Sequence, residues 1–162
     1  NQEIVGLGLE DIVAISMKDA VLVANKNKSQ DVKKVVEYLK SQNISQSEEF
    51  IKDYRPWGSF EILSEGIGFK VKKISVKPGA ALSLQSHKHR SEHWVVVEGS
   101  AVITIDESVK VIGAGQSTYV PLGSIHRLEN REKELLTIIE VQIGDYLGED
   151  DIIRYEDIYS RK

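Results

Sequence analysis

The stretch Ser83-Leu84-Gln85-Ser86-His87-Lys88-His89-Arg90-Ser91-Glu92-His93-Trp94 carries three of the four histidines in this 162-residue chain, with an amide and a carboxylate among them. A lone histidine is usually a hydrogen-bonded surface or core residue. Three clustered beside Gln85 and Glu92, inside strand-like runs, point instead to a metal site. Imidazole nitrogen and carboxylate oxygen are the donors that hold zinc or a similar divalent ion. Which of them bind is a question of register. Side chains alternate faces along a strand, so Gln85 and His87 share a face, and Glu92, Trp94 and Val96 share one on the next run. His93 then points away from Glu92.

Working outward, short strand-like runs recur from Trp57 onward, separated by Gly, Pro, Asn and Asp turn signals. They cover 60–63, 69–76, 82–85, 92–97, 101–105, 109–112, 117–120, 124–128 and 135–141. Nine short strands at this spacing predict an antiparallel sandwich or barrel. The acidic tail over 148–159 offers Ile152, Ile153, Tyr155, Ile158 and Tyr159 to a sheet and reads as a short helix or clamp. Upstream, 11–16 and 20–24 read as a hairpin turning at Met17-Lys18-Asp19. Ser29 is placed to cap a helix whose apolar stripe is Val32, Val35, Val36 and Leu39. The polar stretches Ser41-Gln42-Asn43 and Ser45-Gln46-Ser47 mark a boundary, dividing the chain into an appendage over 1–43 and a main domain over 44–162. Asn1 is no initiator, so the chain reads as a piece of a longer one.

Composition narrows the chemistry. With no cysteine there is no disulfide, no thiolate nucleophile and no Cys-ligated zinc or iron–sulfur site. A formal net charge of −4 argues against a nucleic-acid partner. No apolar run approaches the roughly 20 residues that cross a bilayer, and no signal-peptide pattern opens the chain, so the expectation is a cytoplasmic protein without a membrane partner.

The spacing around the cluster is Gly79, five residues, Gln85, one residue, His87, four residues, Glu92, six residues, Gly99. A second string runs Gly115, five residues, Pro121, one residue, Gly123, two residues, His126, three residues, Asn130. These strings resemble the paired motifs of the cupin superfamily, small double-stranded β-helix (jelly-roll) barrels. The second fits throughout; the first departs once, where Gln85 replaces the family's usual first histidine. The resemblance implies a mainly β fold with a metal set of Gln85, His87, Glu92 and His126. A rival register on His87, His89 and His93 misplaces the carboxylate and both flanking glycines.

A narrower resemblance spans nearly all of the chain. Arg55-Pro56-Trp57-Gly58, Phe69-Lys70-Val71-Lys72-Lys73-Ile74, the histidine stretch, Ser117-Thr118-Tyr119-Val120-Pro121, His126-Arg127-Leu128-Glu129-Asn130 and Tyr146-Leu147-Gly148-Glu149-Asp150-Asp151-Ile152 look like the C-terminal domain of type II phosphomannose isomerases. These bifunctional enzymes join mannose-6-phosphate isomerase to mannose-1-phosphate guanylyltransferase. Gly6-Leu7-Gly8-Leu9-Glu10-Asp11 and Ser29-Gln30-Asp31-Val32-Lys33-Lys34-Val35 look like the tail of the transferase domain. The transferase's glycine-rich, Arg-containing nucleotide loop is absent, so this chain alone is not expected to make GDP-mannose.

The resemblance implies aldose–ketose isomerisation of mannose 6-phosphate and fructose 6-phosphate through an enediol(ate), within GDP-mannose and polysaccharide biosynthesis. Such chemistry needs a Lewis acid and a base. Zinc is the first expectation for the metal, with cobalt, manganese and nickel as alternatives. Arg90 is the first choice for catalysis or phosphate capture, because its fork matches a phosphate. Lys72 or Lys73 is the next cation, and alternation turns one of them away. His89 has the parity of His87 if the strand persists that far, and is the candidate acid–base group. His93 packs outside. Trp94 and Trp57 are read as core or pocket wall, and Glu48-Glu49 and Glu149-Asp150-Asp151 as solvated charges. The competing reading is a non-catalytic metal- or sugar-binding cupin module or another cupin sugar enzyme. A homodimer is expected.

Overall fold

The computed structural model describes residues 4–17, 20–42, 44 and 51–159. The chain divides into two compact units, Asn1–Ile51 and Lys52–Lys162. In the first, β1 (Ile12–Ser16) and β2 (Val21–Asn25) form the expected antiparallel hairpin. Lys18 and Asp19 of its turn lie outside the described residues, as do Asn43, Ser45-Gln46-Ser47 and Glu48-Glu49. Ser29 does not cap the helix. A 3₁₀ turn, Lys26–Asp31, intervenes, and α1 (Val32–Ser41) follows it without a side-chain cap. Asn25 opens that turn instead, its side-chain oxygen accepting from Asn27 N at 2.9 Å.

The second unit is the barrel. One sheet holds β3 (Lys52–Arg55), β4 (Gly58–Gly66), β5 (Phe69–Val76), β7 (Arg90–Glu98), β10 (Ser117–Val120) and β12 (Leu136–Gly144), in the order β10-β7-β12-β5-β4-β3. The other holds β6 (Leu84–His87), β8 (Ser100–Ile105), β9 (Ser108–Gly113), β11 (His126–Glu129) and β13 (Ile152–Glu156), in the order β13-β6-β11-β8-β9. All pairings are antiparallel, and the neighbours are largely non-consecutive. All nine expected runs overlap strands, but 82–85 is strand only from Leu84 and 124–128 only from His126. The tail differs from expectation: a 3₁₀ turn, Glu149–Asp151, leads into β13, which pairs with β6. Its apolar residues earn a place at a sheet edge by the same alternation that serves the other strands.

Ile74 and Val76 of β5, Val96 of β7, Ile103 of β8, Leu128 of β11 and Leu136 and Ile138 of β12 are buried in one cluster shared by both sheets. Burying each such side chain contributes about 1.5–3 kcal/mol. Trp57 joins this core at the β3–β4 turn. Gly58 beside it has φ +152°, and a Cβ there would stand 1.9 Å from Ser75 O. Only glycine lets β4 lie so close to β5 at this turn.

Candidate metal centre and its cavity

His87 ends β6, Glu92 lies in β7 and His126 begins β11, so three strands from both sheets bring these side chains together. One ligand atom from each lies within 4.8 Å of the others. All three residues are at most 2% exposed. His126 Nδ1 sits 2.9 Å from Ser124 O, which makes Nδ1 the donor and leaves Nε2 its lone pair. Nε2 of His126 and both ring nitrogens of His87 are buried without a hydrogen-bond partner. His87 Nε2 is 3.1 Å from Glu92 Oε1 but outside hydrogen-bond alignment. Orphaned buried nitrogens facing a carboxylate are a donor set that fits a divalent ion.

The electrostatics agree with that fit. Burial pushes the Glu92 carboxyl up, but His87, His126 and Arg90 outweigh it and hold Glu92 well below the usual range. Burial pushes His126 down, favouring the neutral imidazole a metal requires. Gln85 faces His126 in the β6–β11 pairing, and its Oε1 accepts from Ser83 Oγ at 2.8 Å.

Glu92 and Gln85 also line an open cavity whose wall includes Lys72, Arg90, Arg55, Arg154 and Glu149. Alternation along β5 turns Lys72 inward and Lys73 out. Lys72 Nζ pairs with Glu149 Oε1 and stands 4.7 Å over the Phe60 ring. Arg90 is 2% exposed, so it is no surface arginine. Its Nε donates to Glu92 Oε1 at 3.2 Å, and its Nη1 donates to Gly148 O at 2.9 Å. Gly144 lets β12 pass this point, since a Cβ there would be 2.0 Å from His89 O and 2.9 Å from Arg90 Cα.

Two expectations need correction. β6 stops at His87, so parity does not carry His89 inward. His89 lies in the following turn with its side chain half exposed, Nδ1 3.5 Å from Asp145 Oδ1 and the ring edge-on to Tyr146. It does not line the cavity. Glu149 and Asp151 are not merely solvated. Asp151 is buried, and its carboxylate accepts from Lys88 N at 3.1 Å and His89 N at 3.2 Å. His93 points outward as expected and packs on Tyr119, ring centroids 4.6 Å apart.

Sequence reasoning missed Glu140 and Gln142 of β12. Trp94 Nε1 donates to Glu92 Oε2 at 3.0 Å and to Glu140 Oε1 at 3.1 Å. Gln142 Nε2 donates to Glu92 Oε1 at 3.3 Å and to Glu140 Oε2 at 2.9 Å. The two donors thus clamp a pair of buried carboxyl groups. Burial, and then the neighbouring Glu92 charge, pushes the Glu140 carboxyl up to about 8, so it keeps its proton at neutral pH. The available signal was parity: Glu140 and Gln142 are in step with Leu136 and Ile138.

A double-stranded β-helix with a buried His–Glu–His group, whose Glu92 lines a cavity walled by cations, defines a cupin barrel. Residues 42–157 match the family model described as mannose-6-phosphate isomerase C-terminal, and the chain belongs to that family. Residues 1–39 match the MannoseP isomerase/GMP-like beta-helix domain. The alginate biosynthesis protein AlgA of Pseudomonas fluorescens is 54% identical over 96% of this chain and 32% of its own length. The xanthan biosynthesis protein XanB of Xanthomonas campestris pv. campestris strain ATCC 33913 is 52% identical over 96% of this chain and 33% of its own. The mannose-1-phosphate guanylyltransferase of Escherichia coli K12 is 48% identical over 96% and 32%. The chain therefore spans about a third of the length of the curated relatives it matches. Among solved structures, an RmlC-like cupin from Shewanella frigidimarina NCIMB 400 matches with a TM-score of 0.54 at 23% identity, over 64% of this chain and 88% of that one. The Cnp3 cupin domain of Schizosaccharomyces pombe matches with a TM-score of 0.51 at 19% identity, over 54% and 64%. These likenesses establish the barrel. Among the described residues, no helix is long and apolar enough to cross a membrane.

Proposed function

We propose that this chain interconverts mannose 6-phosphate and fructose 6-phosphate as a metal-dependent isomerase. In this reading 44–162 is the isomerase domain and 1–43 the end of a mannose-1-phosphate guanylyltransferase domain, the whole protein acting in cytoplasmic GDP-mannose supply. The observation that carries it is one cavity lined by Lys72, Arg90 and Arg55 and, on the same wall, by Glu92, the carboxylate that the buried His87 and His126 flank. A sugar phosphate has the matching polarity, with an anion at one end and carbonyl and hydroxyl oxygens at the other.

His87, Glu92 and His126 would hold the ion, with the Gln85 amide as a further oxygen donor. When bound, the ion supplies electrophilic stabilisation of the charge that develops on the sugar oxygens. Lys72 and Arg90 take the phosphate and so set the depth to which the sugar enters. Arg90 also orients Glu92 through its Nε. Trp94 and Gln142 fix the Glu92 carboxylate from the other side. His89, on the outer turn, leaves the set of acid–base candidates.

The test is conversion of mannose 6-phosphate to fructose 6-phosphate by the full chain before chelation, after verified metal removal, and after metal is restored. Loss and recovery of turnover are expected. Arg90→Ala is expected to lower kcat/KM at least a hundredfold, because it removes both an anion contact and a Glu92 partner. Unchanged turnover after complete metal removal excludes the metal-assisted reading, and binding without turnover by the loaded wild type favours the sugar-binding module. A homodimer belongs to the same proposal and is read by light scattering.

A further inference from the structure

The Glu149 carboxylate is a negative group set among cations on the cavity wall. Lys72 Nζ pairs with its Oε1, and Arg90 holds the carbonyl of the preceding residue, Gly148, at 2.9 Å. Burial raises the Glu149 carboxyl, but Lys72, then Arg90 and Arg55, outweigh it and hold it below its usual range. All four residues line the cavity that also contains Glu92 and Gln85.

The pair is asymmetric. The Lys72 side chain is 5% exposed, whereas that of Glu149 is 45% exposed. The carboxylate can turn out to water and the ammonium cannot, and a buried ammonium left without an anion is costly. Glu149 also stands in a three-residue 3₁₀ turn whose far end is pinned, because Asp151 is anchored on the Lys88 and His89 amides. The turn can therefore stay docked while the Glu149 side chain leaves. A phosphate monoester brings nearly two negative charges at neutral pH and three acceptor oxygens, against one charge and two oxygens for the carboxylate. Its exchange for Glu149 would keep Lys72 neutralised and engage Arg90 and Arg55 more fully.

Resting on the reading that Lys72 and Arg90 take a sugar phosphate, we propose that Glu149 is a tethered stand-in for that phosphate. It occupies an anion subsite made by Lys72, Arg90 and Arg55 and withdraws when a phosphate monoester binds. Arg55 is the third cation of the subsite. The residue thus acts as a competitor built into the chain, tuning affinity for the phosphate end of the substrate rather than touching the reacting carbons.

The experiment titrates inorganic phosphate into the full chain by calorimetry, as isolated and again after chelation, for wild type, Glu149→Gln and Asp150→Asn. Asp150 accepts from the exposed Tyr146 hydroxyl at 2.6 Å and does not line the cavity, and so controls for loss of one nearby charge. Glu149→Gln is expected to tighten phosphate binding about two- to fivefold, the range of a partly exposed ion pair, with Asp150→Asn unchanged. The KM for mannose 6-phosphate should fall in the same ratio, while binding of unphosphorylated mannose stays as in the wild type. Equal or weaker phosphate binding in Glu149→Gln overturns the proposal, because Glu149 is then a strut that shapes Lys72. Equal tightening in Asp150→Asn also overturns it, leaving only net charge. If phosphate behaves as expected but mannose 6-phosphate is not turned over, the tethered anion stands and the isomerase reading alone fails.

Discussion

The inner face of the larger sheet changes character along its length. At one end Glu92 of β7 faces Gln142 of β12, and Trp94 faces Glu140, which in turn faces Lys72 of β5. At the other end Val96 faces Ile138, Ile138 faces Ile74, and Leu136 faces Val76. The same three strands, in the same register and on the same face, thus supply a polar site and an apolar core. A barrel can place charged groups in its interior because the apolar end anchors the strands. The polar end is then free to be matched internally, as the Trp94 and Gln142 donors to the two carboxyl groups illustrate.

The division is open to test at either end. Ile138→Ala should have the largest effect on stability, about 2–5 kcal/mol, because Ile138 is fully buried in the core cluster. Denaturant unfolding reads the loss, and metal affinity should remain near that of the wild type. Equal damage to both would mean that the two ends are one cooperative unit. Trp94→Phe attacks the polar end: it keeps the ring but leaves Glu92 Oε2 and Glu140 Oε1 without their shared donor. A metal affinity roughly ten- to a hundredfold weaker is expected, measured by chelator competition, with a smaller change in unfolding free energy.

The smallest effect belongs to the rim. Lys72 depresses the Glu149 carboxyl, so the stability from this pair is present above the unfolded value near 4.5 and is lost as pH falls below it. Its half-exposed side chain limits the contribution to about 1 kcal/mol or less. Glu149→Gln should lower stability by that amount at neutral pH and leave the acid end, where Glu149 is protonated in the wild type, nearly untouched, so that the acid side of the profile flattens. A profile identical to the wild type would show that the pair contributes nothing to folding.

Much of this division was legible locally. The run at 69–76 coincides with β5 and that at 117–120 with β10, because turn residues bound each, Gly68 and Pro78 for the first and Gly115 and Pro121 for the second. His87, Glu92 and His126 came from motif spacing, and Lys72 over Lys73 was left open by alternation alone. Glu140 and Gln142 went unseen for a physical reason. In Ile139-Glu140-Val141-Gln142-Ile143 the apolar residues alternate with polar ones, which normally sends the polar set to solvent. Here the polar set faces inward, and Ile143 is 48% exposed. His89 was misjudged because a strand's end, unlike its parity, depends on where its partners stop pairing.

Composition and spacing by themselves determined a β-rich chain with no thiol ligands and a paired cupin motif carrying histidine and glutamate donors. These are properties of short segments, set by side-chain chemistry and a two-residue period. Only the tertiary structure decided which cations meet the donors, that Glu140 shares a clamp with Glu92, and that the acidic tail returns to close on Lys72. Those partners lie up to 77 residues apart, as for Lys72 and Glu149, and no local pattern encodes which strand will lie beside which.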